Sequence, residues 1–235
     1  DIFNAYSYVD FDYEERPGSD AFRLQRFFGF ASSLEFATNV ADSLGSWVSA
    51  VKYSMNKNNY DIQAIAGIAK KDITVGGAWA GNIKGAGFKG ETTLFIPVDD
   101  NPQPTAIVGT LSLDYNFKNS LYLNLSYLFN SNGSLESGSE GFVDFYFGQL
   151  TARNLSPYKH SILLLSTYQF HPLIFGSLGV MPFVGNKAMF LNPAITFSVL
   201  NNFDLDLVGQ LFFGEIQDDF QSISEVLFVR LKWSF

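Results

Sequence analysis

An all-β fold follows from three features of this sequence. Apolar and polar residues alternate with a period of two, turn-forming residues divide the alternating segments, and no stretch has a convincing helical period. Residues 141–152, inside a long loop, are the one weak helical candidate. The last ten residues, VLFVRLKWSF (226–235), show the pattern best: Leu227, Val229, Leu231, Trp233 and Phe235 fall on one face of a strand, while Phe228, Arg230, Lys232 and Ser234 fall on the other.

Taken in order, 1–20 is aromatic and acidic and closes on a Pro17-Gly18 turn signal, with a weak strand at 3–12. Alternating segments follow at 20–28, 31–39, 46–55 and 58–69, then at 72–81 and 84–96 beyond the Lys70–Lys71 turn. Segments 105–117 and 121–130 are divided by Lys-Asn-Ser at 118–120, and 158–170 and 173–182 by His171-Pro172. After a short turn at 183–187 come 188–199 and 203–213, divided by Leu-Asn-Asn at 200–202, and finally 223–235. These are thirteen clear strands, and the weak one at 3–12 makes fourteen.

Composition narrows the class. Aromatics make up 17% and hydrophobic residues 47%, yet only 16% are charged, against roughly 25% in soluble domains. The apolar residues are scattered in alternation; even 161–184 is broken by Gln169, His171, Pro172 and Pro182, so no transmembrane helix of about 20 residues is expected. In 188–199, Met189, Leu191, Pro193, Ile195, Phe197 and Val199 alternate with Phe190, Asn192, Ala194, Thr196 and Ser198. In 203–213, Phe203, Leu205, Leu207, Leu211 and Phe213 alternate with Asp204, Asp206 and Gln210. A soluble sandwich can alternate in this way, but seldom over a dozen strands with so few charges. The expected fold is therefore a transmembrane antiparallel β-barrel of about 14 strands, a single domain over 1–235, or part of a larger barrel.

Connection lengths test this expectation. With Phe235 at the periplasmic end, the turns near 118–120, 171–172 and 200–202 are periplasmic and short, whereas 97–104, 131–157 and 214–222 fall outside and are long. The short turns near 70–71 and 183–187 are exceptions on the outer side.

A strand ending the chain on an aromatic residue resembles the C-terminal signature of Gram-negative outer-membrane barrels, which implies that Leu231, Trp233 and Phe235 are read by the assembly machinery. DIFNAYSYVDFDYEERPGSDAFRLQ (1–25), GAWAGNIKGAGFKGE (77–91) and LSLDYNFKNSLYLNLSYLFN (111–130) resemble the later part of a porin-like outer-membrane family. Its members carry further strands before the equivalent of Asp1-Ile-Phe-Asn. The resemblance implies that Asp1 is not a natural N-terminus and that strands are missing or lie on another chain. It also implies location in the outer membrane, against lipid and lipopolysaccharide. No signal peptide follows Asp1.

The charge of −8 excludes a basic nucleic-acid footprint, and the absence of cysteine excludes disulfides and thiolate metal sites. Gly85-Ala-Gly87-Phe-Lys-Gly90 matches a dinucleotide-binding spacing, but a strand follows where a helix would have to hold the pyrophosphate. Small residues on a crowded wall explain it better. Ser156-Pro-Tyr-Lys159 fits S-x-x-K without the partner elements that penicillin-recognising enzymes require. His160 and Ser161 are strand neighbours pointing to opposite faces, and His171 lies by a periplasmic turn, so neither histidine suits a rim hydrolase. No enzyme activity, cofactor or built metal site is expected; Asp99, Asp100, Asp218 and Asp219 could at most hold Ca²⁺ loosely.

The informative polar residues face the expected lumen. If the last two strands pair symmetrically about residue 218, Asp206 falls opposite Arg230 and Asp204 opposite Lys232. Lys89 and Glu91, then Asp114, then Asn124 extend the polar wall. Such residues either set a transverse field in a pore or stiffen the barrel as structural pairs. In loop 131–157 a Gly/Ser-rich first half precedes Phe142, Phe145, Tyr146, Phe147 and Leu150, which are too apolar for water. They are expected to fold into the barrel mouth, lie on the membrane or meet a protein partner. The expected function is porin-like passive diffusion of small solutes; the alternative is a non-conducting scaffold barrel in an outer-membrane complex.

Overall fold

The computed structural model describes residues 20–39, 46–98, 103–134, 151–216 and 219–234. Thirteen strands form one antiparallel sheet in chain order, each paired with its sequence neighbours. They are β1 (Ala21–Phe28), β2 (Ser32–Asn39), β3 (Val48–Lys57), β4 (Tyr60–Ala69), β5 (Asp72–Ile83), β6 (Ala86–Pro97), β7 (Ala106–Asn116), β8 (Tyr122–Asn130), β9 (His160–His171), β10 (Ile174–Phe183), β11 (Ala188–Leu200), β12 (Phe203–Ile216) and β13 (Asp219–Trp233). All thirteen clear segments read from the alternation become strands, displaced by only a few residues at their ends. The weak strand at 3–12 lies outside the described residues. No ladder joins β1 to β13, so the sheet is not closed by its own hydrogen bonds.

At one end the connections are residues 29–31, 58–59, 84–85, 117–121, 172–173 and 201–202. Local chemistry makes them tight. Asn58 and Asn59 both take positive φ, as do Lys84 and Gly85, the backbone that a two-residue turn matched to the strand twist requires. The Asn82 side chain accepts a hydrogen bond from the Gly85 amide at 2.7 Å. At the opposite end the connections are 40–47, 70–71, 98–105, 131–159, 184–187 and 217–218, three of them long.

One expectation fails here. The outer loop at 214–222 does not exist as a loop, because the β12–β13 ladder continues through Gly214↔Gln221 to Ile216↔Asp219. The Gly, Glu, Gln and Asp content of that stretch suggested a loop, but backbone pairing needs no apolar side chains where a hairpin meets water. A bulge at Phe212/Phe213 shifts the register of this extension by one residue. The 151–152 end of the weak helical candidate is a bridge and turn, and its remainder lies outside the described residues.

Two apolar clusters lie on a single face, toward the long-connection end. One joins Val48, Ala50, Ala69, Phe95, Ala106, Val108 and Leu128, with Ala152 and Leu155 packed on it. The other joins Met181, Phe183, Ala188, Phe190 and Phe212 around Tyr158.

Candidate functional site

Directly paired residues share a face, so the register carries one face across the sheet. On it lie Arg23, Glu35, Lys52, Asp61, Asp72, Lys89, Glu91, Asp114, Asp204, Asp206, Arg230 and Lys232. The opposite face carries Arg26, Lys57 and Glu215 within three residues of a strand end, and Glu225 opposite Leu211. Its other residues are largely apolar and exposed: Leu227, Val229, Leu231 and Trp233 are 62–72% accessible. Of the large exposed hydrophobic side chains within the strands, only Phe27, Phe175 and Ile216 lie on the charged face.

The charged face has two tiers. Toward the short turns it is polar. Asp206 stands opposite Arg230, and Asp204 opposite Lys232, as the symmetry of the hairpin predicts. Arg230 donates through Nε to Asp206 Oδ2 at 2.8 Å, and Thr196 donates to Oδ1 at 2.6 Å. Asp204 accepts from Ser198 at 2.7 Å. Charge-assisted bonds of this kind are about twice as strong as neutral ones, and together they fix the buried Asp206 carboxylate.

The second polar cluster also assembles as the sequence suggests. Lys89 Nζ is 2.8 Å from Asp114 Oδ1. Asp114 is registered opposite Asn124, whose amide donates to Ser112 at 2.8 Å while its Oδ1 accepts from Ser126 at 2.8 Å. Glu91 lies two residues further along β6, opposite Ala78 and Thr110. Between β4 and β6, Ala78 and Ala80 leave a recess of about 340 Å³ walled by Asp61, Gln63, Lys89, Glu91, Thr110 and Ser112. Of the glycines of the apparent dinucleotide motif, Gly85 belongs to the β5–β6 turn and the other two are wall residues: a Cβ on Gly87 meets the Asp114 carboxylate at 2.6 Å, and one on Gly90 meets the Trp79 ring at 2.3 Å.

Toward the long connections the same face is mostly apolar, with Asp72, Thr74, Asn130 and Ser161 buried among its side chains, and residues 151–158 lie over it. Arg153 donates to Asp72 Oδ1 at 2.5 Å and to the Pro104 carbonyl. The Asn130 amide donates to Asn154 Oδ1 at 2.6 Å and to the Ser156 carbonyl at 2.8 Å. Tyr158 stacks on Phe183 with ring centroids 4.1 Å apart. Ser156 bonds Ser161 at 3.0 Å on this face, while His160 bonds Tyr127 at 2.7 Å on the other.

Of the loop 131–157, the described ends therefore sit on the charged face; Phe142, Phe145, Tyr146, Phe147 and Leu150 lie outside the described residues. So do Asp99, Asp100, Asp218 and Phe235. Leu231 and Trp233 lie on the apolar face, Trp233 stacked on Phe203 at 5.8 Å.

Sequence reasoning missed Asp72, Arg153 and Asn130, and also a third charge group: Arg23 to Glu35 at 2.6 Å and Lys52 to Glu35 at 3.6 Å. Alternation placed Glu35 and Lys52 within strands, and the pairing of those strands was the signal that could have found them. No group of three or more metal-ligating side chains occurs among the described residues. No protein-family model matches the chain, and no curated protein matches it.

Proposed function

We propose that the chain forms most of a Gram-negative outer-membrane β-barrel, of the porin-like kind its sequence resembles, and passes small polar solutes by diffusion. One observation carries this reading: the sheet puts its charges on the partly covered face and its large apolar side chains on the open one. A water-soluble sheet does the reverse, because burying a Leu, Val or Phe is worth about 1.5–3 kcal/mol each. Lipid removes that penalty, and a polar lumen gives the charged face its solvent. The connection lengths agree, with the short turns periplasmic and the long connections outside.

Hydrocarbon also demands closure, since it cannot solvate unpaired backbone groups. Both β1 and β13 run from the long-connection end toward the short turns, so they cannot pair antiparallel with each other. An odd number of added strands between them restores antiparallel pairing on both sides and an even total. Residues 3–12 are one source of such a strand; further strands of this polypeptide or another chain are the others.

Passage would depend on size and lumen charge, with Lys89, Glu91, Asp114, Asn124, Asp204, Asp206, Arg230 and Lys232 as wall residues and no bond-making step. Lipid, lipopolysaccharide and the assembly machinery that reads the aromatic terminus are the implied partners. The cover over the upper tier favours the second reading, a non-conducting scaffold barrel in a protein complex. Planar-bilayer conductance of the protein purified from native membranes separates the two. Discrete, salt-dependent steps support the channel, and silence with a heat-modifiable folded protein supports the scaffold. A protein that stays in the aqueous fraction without detergent would sink both.

A further inference from the structure

The segment 151–159 crosses the charged face from β5 to β10, and its two ends are held differently. The Tyr158 end is short and apolar: Tyr158 is buried against Phe183, and one residue later the chain enters β9. The Arg153 end depends on a guanidinium that reaches Asp72, 81 residues away on β5, and the Pro104 carbonyl ahead of β7. The flanking strands of the segment, β8 and β9, do not pair with β5. Both members of the ion pair are nearly out of water, at 11% and 9% side-chain accessibility. Between the two ends, Ala152 and Leu155 rest on the cluster that contains Phe95 and Val108. Further support among the described residues gathers toward the Tyr158 end, where the Asn130 side chain donates to Asn154 and Ser156 and the Ser134 backbone bonds Pro157 and Lys159.

We infer that Arg153 is a latch, which holds the 151–158 strap down over the apolar tier at the long-connection mouth through Asp72 and Pro104. Two physical arguments support it. Removing either charge of a nearly dry ion pair leaves its partner buried without compensation, so loss of Arg153 or Asp72 destabilises the seated strap. Ala152 and Leu155 pack on the buried cluster that holds Phe95 and Val108, so apolar burial favours the seated strap once Arg153 has set its position. In the channel reading, on which this consequence rests, a released strap widens the outer mouth, while the polar tier below continues to sort solutes by charge. Arg153 is thus a positioning residue for the constriction.

The chain has no cysteine, so a single Val108→Cys reports on the surface under the strap. The test is the rate at which a membrane-impermeant maleimide modifies this thiol in the full chain folded in vesicles, with heat-modifiable gel mobility as the check of folding. Arg153→Ala and Asp72→Ala should each raise the rate at least tenfold, and a rate within twofold of the parent in both folded variants overturns the latch. If neither variant folds, Val108→Cys/Leu155→Cys in the otherwise native chain decides through a short bis-thiol cross-linker. Efficient cross-linking supports a seated strap, and failure to cross-link overturns it. Conductance is recorded on the same proteins. A larger conductance in Arg153→Ala that the cross-link returns to the parent value supports the gate, and a conductance indifferent to both overturns it. Silence in every variant rejects the channel reading, while the labelling rates still judge the latch.

Discussion

Residues 110 and 111 are neighbours on β7 that face opposite sides of the sheet, and they give the sharpest test of which side meets lipid. Leu111 is mid-strand, 42% accessible, and registered between Gly90 and Tyr127 on the apolar face. Thr110 lies opposite Glu91 on the charged face, beside the recess. If the apolar face contacts hydrocarbon, Leu111→Arg places a cation near the midplane, at a cost of about 2–4 kcal/mol. That corresponds to roughly a 30- to 900-fold loss in the folding equilibrium, at 1.36 kcal/mol per tenfold. Thr110→Arg gains Glu91 as a partner and should shift stability by under about 1 kcal/mol. The assay is denaturant-titrated refolding into phospholipid vesicles, followed by tryptophan fluorescence and heat-modifiable mobility. In a water-soluble sheet the open position would tolerate Arg to within about 0.5 kcal/mol. A Leu111→Arg protein as stable as the parent, with Thr110→Arg the more damaging change, would refute the assignment of faces.

Other perturbations bear on the site. Arg230→Ala leaves the buried Asp206 carboxylate with Thr196 as its remaining side-chain donor, and should cost about 1.5–3 kcal/mol because Arg230 is itself partly exposed; the denaturation midpoint measures it. If the channel reading holds, the same variant should also shift reversal potential toward greater cation preference in a salt gradient. Asn130→Ala removes the amide that donates to Asn154 and the Ser156 carbonyl, at about 1–3 kcal/mol for the acceptors left unsatisfied, with faster proteolysis within 131–157 as the readout. Gly67→Ala puts a Cβ 2.2 Å from the Ser49 carbonyl and 2.7 Å from the Ala50 Cα. Backbone cannot step aside as a side chain can, so a loss of about 1–3 kcal/mol is expected in the same refolding assay.

What was legible in the sequence follows from how far each interaction reaches along the chain. Period-two alternation is local, and it located β1 to β13. The Asp206–Arg230 and Asp204–Lys232 pairing was also within reach, because a hairpin folds one sequence back on itself and complementary charges reveal the register. The same symmetry failed past Phe212, where a bulge that no residue type announces moves the register by one. The extension of β12 and β13 was hidden because polar residues in a solvated hairpin look like loop residues. Arg153 and Asp72 were invisible for a different reason: their bond spans 81 residues, and only the course of 151–159 across the sheet brings them together. The facing of Lys89, Asp114 and Asn124 was legible as a shared parity, but the recess beside them was not, since it depends on Ala78 and Ala80 being small on the strand between.

The strict sequence order of the thirteen strands has a consequence for assembly. Every ladder in the sheet joins neighbours in the chain, so each strand can add to the growing edge by closing a turn or loop, with little entropy lost where the connection is short. The Arg153–Asp72 bond obeys a different schedule. It closes over 81 residues and needs β5 through β9 already side by side before its two charges can meet. The sheet can grow one hairpin at a time from either edge, but the mouth stays uncovered until the middle of the chain is in place. The strap can therefore close only after those five strands are assembled, whatever the state of the sheet's two edges.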